Sequence, residues 1–160
     1  MQKTNLFLSL ILTLTSSLTL IFVAGCGGTH LRTEYVEGLV TLDGNVLADA
    51  TVSFSPAVAG AGTPAVGKTD ASGKYVLTAI QGGKDGAGTT VGKYHISVFK
   101  EEATKHYTEE QVKEEVAKHG FIDWGYRVVV PAKYTNPAGS GLTAEIVKGK
   151  NSIPLELKSK

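Results

Sequence analysis

From Tyr35 to the C-terminus, apolar residues alternate with polar ones in short runs, and clusters of Gly, Asp, Asn and Ser separate the runs. A helix repeats its apolar stripe at three and four residues, so this period of two commits the chain to half-buried strands. Val36, Gly38, Val40 and Leu42 share one face of the first run, which turns at Asp43-Gly44-Asn45. Val52 with Phe54, Tyr75 with Leu77, and Tyr94 with Ile96 and Val98 repeat the pattern, as do Leu142, Ala144 and Ile146 and then Ile153, Leu155 and Leu157. Pro154 falls in the outward phase of the last run and has no N–H to donate, which predicts an edge strand. Gly-Lys-Tyr occurs at 73 to 75 and again at 92 to 94, as a glycine turn leading into a strand whose tyrosine makes the first inward contact. With 19 glycines in 160 residues, turns are plentiful, and one all-β domain is the expectation.

One segment breaks the alternation. Thr108-Glu109-Glu110-Gln111 has the spacing of a capping box, and Val112 to Lys118 continue at helical spacing. This predicts a surface helix over 108–119 inserted between strands, with Glu109–Lys113 and Glu114–Lys118 as i,i+4 pairs and Gly120 as the stop.

The N-terminus has a different character. A short segment carrying Lys3 precedes an apolar run from Leu6 to Val23 and the small residues Ala24 and Gly25, the layout of an export signal. An uncleaved membrane span is the competing reading, but the run carries several Ser and Thr and no basic cluster follows it. Val23-Ala24-Gly25-Cys26 resembles the lipobox of bacterial lipoproteins, and Cys26 is the only cysteine in the chain. That resemblance implies removal of residues 1–25, lipid attachment at Cys26 and a tether over 26–33, with Gly27 favouring the outer membrane of a bacterial envelope. Two or more acyl chains hold a protein firmly in a bilayer, whereas one holds it marginally. A single cysteine excludes an intrachain disulfide.

The region 34–160 resembles the carboxypeptidase regulatory-like, transthyretin-like domains of small bacterial lipoproteins, planctomycete ones especially. The resemblance rests on Val36 to Gly44, Ala50 to Pro56, Gly67 to Tyr75, Gly92 to Val98, Val130 to Tyr134 and Ser140 to Ala144. It implies a Greek-key, prealbumin-like β-sandwich of about seven strands, with the helix at 108–119 as a departure from the pattern. These motifs specify turns and strand faces, so they say little about activity.

Patterns that carry chemistry are sparse. Gly62-Thr63-Pro64-Ala65-Val66-Gly67-Lys68-Thr69 formally satisfies GxxxxGK[ST], but the turn Asp70-Ala71-Ser72-Gly73 follows where a phosphate loop needs a helix. His30, His95, His106 and His119 are scattered, without paired metal-ligand spacing, and there is no GxSxG elbow. Asp43, Asp49, Asp70 and Asp85 sit in or near turns without the dense acidic spacing of a calcium loop. The formal charge is +1, and Lys3 is the only charge in the leader, so no basic excess points to nucleic acid. Phe121, Trp124 and Tyr126 form the one candidate interaction surface, with Tyr107 and Tyr134 as possible neighbours. These rings either meet a partner or pin the helical insert to the sandwich. The expectation is a non-enzymatic, lipid-anchored envelope module with no cofactor, metal or nucleotide. Its partners are the membrane and an envelope protein or glycan, and a carbohydrate- or small-ligand-binding domain is the alternative.

Overall fold

The computed structural model describes residues 31–81 and 84–160. The signal segment 1–25, Cys26, the tether to residue 30 and the Gly82-Gly83 turn lie outside the described residues. The described residues form twelve short strands: β1 Val36–Leu42, β2 Asn45–Val46, β3 Thr51–Pro56, β4 Ala65–Lys68, β5 Lys74–Val76, β6 Thr78–Ala79, β7 Gly92–Phe99, β8 Glu101–Ala103, β9 Tyr126–Val128, β10 Thr143–Ile146, β11 Asn151–Ser152 and β12 Leu155–Leu157. Helix α1 covers Glu109–His119, and a 3-10 turn covers Ala132–Thr135.

Two five-stranded sheets share one core. In the first, β1 pairs in parallel with β11 and β12 and antiparallel with β5 and β2. The second runs β10-β7-β3-β4-β6, antiparallel throughout. Val36, Val40, Leu155 and Leu157 of the first sheet join Val52, Phe54, Ile96 and Val98 of the second in a single buried cluster. Phe54 lies at its centre, with its ring centroid 6.3 Å from that of Tyr75 and 6.0 Å from that of Tyr94. Both Gly-Lys-Tyr tyrosines therefore point inward, as the alternation predicts.

The strands outnumber the roughly seven expected, for physical reasons that can be located. Leu77 breaks one pass, so that β5 pairs in the first sheet and β6 in the second. Its N–H donates to the Val36 carbonyl and its side chain is fully buried, which pins the crossover. Pro154 breaks the last pass between β11 and β12, although both keep one register along β1. That pass pairs with β1 alone, so the expected edge strand is present. The remaining pair, β8 and β9, forms a separate two-stranded ribbon.

The two ends of the sandwich are distinct. At one end, Glu34 and Thr89 exchange backbone hydrogen bonds and Val36 lies beside Asn151. Strand β1 then runs about 20 Å to the other end. There Asp43 accepts a hydrogen bond from the N–H of Ser159, and Ser159 lines a groove with Phe99 and Val128. The first described strand thus begins at one end, while β7 leaves the sandwich for the insert at the other.

Surface turns are tied by carboxylates. Asp70 accepts from the Ser72 hydroxyl and from the N–H groups of Ser72 and Lys74, bonds that hold its carboxyl below the usual range. A hydrogen bond from Lys150, followed by one from Tyr35, does the same for Glu37, and Ser159 does so for Asp43. Each folded pKa lies below its unfolded value, so each contribution to stability is complete above the unfolded value and is lost as pH falls through the folded one. The melting midpoint is therefore expected to stay nearly flat from neutral pH down to about pH 5 and to drop below about pH 4 in a calorimetric pH series. A midpoint insensitive to acid would contradict this assignment.

Candidate functional site

The segment between Lys100 and Val129 is the largest departure from the sandwich, and it is wider than the helix alone. Strand β7 continues as β8, which pairs antiparallel with β9 in the register Glu101–Val128, Glu102–Arg127 and Ala103–Tyr126. The ladder extends through Val129 N–H to the Lys100 carbonyl and Lys105 N–H to the Trp124 carbonyl. On one face Glu102 bridges Lys100 at 2.9 Å and Arg127 at 3.3 Å, and the two cations, Lys100 first, hold its carboxyl below the ordinary range.

The helix forms as the spacing predicts. Thr108 accepts from the Gln111 N–H, and the Gln111 side chain accepts from the Thr108 N–H, completing the capping box. Gly120 adopts φ 77° and returns its N–H to the Val116 carbonyl, a left-handed stop that costs glycine little. Glu114 and Lys118 pair at 2.6 Å, whereas Glu109 and Lys113 do not form an ion pair. None of the helix residues is buried, which agrees with a surface helix.

The candidate aromatic residues separate into three environments. Phe121 and Tyr126 are 65% and 62% exposed, so neither ring pins the insert to the sandwich. Trp124 is half-buried and meets Tyr107 edge-on, with centroids 5.5 Å apart and planes at 79°. Tyr134 is not their neighbour: it is buried in the core, where its hydroxyl accepts from the Lys158 N–H. The insert is held instead by its own ribbon, by the Lys105–Asp123 ion pair and by the Tyr107 hydroxyl, which donates to the Asp123 carbonyl.

These contacts shape an open cleft of about 320 Å³ lined by Lys105, Tyr107, Glu115, His119, Phe121 and Asp123. Asp123 accepts from Lys105 and from the Gly125 N–H, which together hold its carboxyl below the usual range, while the same pairing raises the Lys105 ammonium. Both groups are therefore charged at neutral pH. Glu115 lies 3.9 Å from the His119 imidazole, and the His119 ring is tilted against Phe121 at 6.4 Å. The sequence singled out Phe121 but not its polar companions, because Lys105, Glu115 and Asp123 converge only once the ribbon and helix have folded.

Elsewhere the sequence motifs fall on structural positions. Ala65 to Lys68 of the GxxxxGK[ST] match is strand β4, and Asp70 to Gly73 is a turn. Thr69 is buried, accepting from the Ala50 N–H and donating to the Leu47 carbonyl. Asp43 and Asp49 have positive φ and shape turns, and Asp49 also pairs with Lys68 at 2.9 Å. Among the described residues, no three His, Cys, Asp or Glu side chains gather in a metal-binding group, and no helix is long and apolar enough to cross a membrane. Against protein-family models, curated proteins and solved structures, the chain has no match.

Proposed function

We propose that this protein is a non-enzymatic, lipid-anchored module of the bacterial cell envelope, attached through Cys26, whose β-sandwich displays the Lys100–Val129 insert to an envelope partner. The reading is supported by the two ends of the sandwich, since the described residues enter at one and the insert departs at the other. The segment leading from the tether joins at Glu34 and Val36, beside Thr89 and Asn151, whereas the insert departs at Phe99, beside Val128 and Ser159. In this proposal the lipid anchor precedes Leu31 in the chain and the insert faces away from the bilayer. The lipobox-like residues Val23 to Cys26 supply the anchor in this account, and the outer membrane is the proposed address.

The transthyretin-like assignment belongs to the same proposal. It is supported by where the family-like stretches fall: Val36 to Gly44 is β1 and its turn, Ala50 to Pro56 covers β3, Gly67 to Tyr75 is the β4–β5 turn, and Gly92 to Val98 is nearly all of β7.

Orientation can be measured because a lipidated Cys26 leaves an introduced cysteine as the only free thiol. Lys148→Cys lies in the exposed loop before β11, at the tether end, and Lys113→Cys lies on exposed α1. With a fluorophore on each variant in vesicles carrying a headgroup quencher, strong quenching is expected at position 148 and weak quenching at 113. Equal quenching, or the reverse order, would refute display away from the membrane.

A further inference from the structure

We propose that the cleft between α1 and the ribbon is a binding site for an uncharged saccharide, with the exposed face of Phe121 as its stacking platform. The inference deepens the display reading by giving the insert a ligand class.

The lining restricts the chemistry. Phe121 offers an apolar ring to solvent beside polar groups of both kinds, carboxylates at Glu115 and Asp123 and an ammonium at Lys105. Asp123 is already neutralised by Lys105, and the Glu115 carboxylate borders the cleft beside the His119 ring. A simple anion would therefore find the Lys105 ammonium already engaged. A sugar suits this arrangement, since each hydroxyl both donates and accepts and the C–H face of the ring packs on an aromatic surface. The cleft, about 320 Å³ and open, has the size of a small-ligand site but not its enclosure, as expected if it grips a stretch of a longer chain.

The rings have different tasks. Trp124 packs on Tyr107, whose hydroxyl holds the Asp123 backbone, so this pair positions the acidic wall. Phe121 makes the contact. Tyr126 does not line the cleft, which makes it an internal control of similar exposure.

The test is isothermal titration of the full-length protein in detergent with cellohexaose, chitohexaose, xylohexaose and maltohexaose. At least one is expected to bind. Phe121→Ala is expected to weaken that binding about tenfold or more, Glu115→Gln to weaken it, and Tyr126→Ala to leave it unchanged. Phe121 is exposed, so its alanine variant should keep the wild-type melting midpoint, which separates lost binding from lost structure. Either of two results would overturn the site: no binding by any of the four at millimolar concentration, or binding unaffected by Phe121→Ala. Neither bears on the anchor, which Cys26 tests separately.

Discussion

Gly38→Ala is expected to destabilise the sandwich by about 2 to 4 kcal/mol in a denaturant titration, the largest effect of any single methyl group added to β1. Gly38 sits opposite Tyr75 on one neighbouring strand, and on the other it faces the break between β11 and β12. A Cβ there would fall on the Ile153 carbonyl oxygen, 2.8 Å from its carbon and 2.7 Å from Cε1 of Tyr75. Neither neighbour can yield cheaply. The obstacle at Ile153 is backbone, and the Tyr75 ring is buried with its hydroxyl donating to the same carbonyl at 2.7 Å. Burial also pushes the Tyr75 phenol pKa well above its ordinary value, so the donor stays protonated across the accessible pH range. Tyr75→Phe serves as the companion variant: it removes the hydrogen bond without the clash and is expected to cost only about 1 kcal/mol. If Gly38→Ala unfolded at the wild-type midpoint, the close approach of β1 to Ile153 would be wrong.

That position also shows where sequence reading succeeds and where it stops. The alternation places Val36, Val40, Val52, Phe54, Tyr75, Tyr94, Ile96 and Val98 inward, and all eight are buried. Side-chain period alone fixes which face meets the core. It does not fix strand direction, and the parallel alignment of the C-terminal pass with β1 was not legible because parallel and antiparallel partners present the same period. Thr108, Gln111 and Gly120 bounded the helix accurately, since capping is local chemistry between residues a few positions apart. The ribbon was missed for the opposite reason: Glu101 to Ala103 and Tyr126 to Val128 are too short to show a period, and they pair across more than twenty residues.

The aromatic residues singled out in the sequence do not share one environment. Phe121 and Tyr126 are exposed, whereas Trp124 packs on Tyr107 and Tyr134 belongs to the core. Tyr134 follows the motif Val130-Pro131-Ala132-Lys133, and the 3-10 turn there rotates its ring inward beneath Lys158. A turn of this kind leaves little trace in a sequence, because four residues are too few to define a face.

The anchor carries the account, and Cys26→Ala should produce an all-or-none effect. In this reading the thiol is the only group that can accept lipid, and cleavage after Gly25 depends on that modification. The decisive measurement is mass spectrometry of the N-terminal peptide from membrane-extracted protein, run beside the Cys26→Ala variant. The expected wild-type peptide begins at Cys26 and carries the added mass of acyl chains, whereas the variant retains residues 1–25 and takes up no labelled fatty acid. An unmodified Cys26 in wild-type protein, or a variant cleaved and fractionated normally, would contradict lipid anchoring and with it the proposed display of the insert.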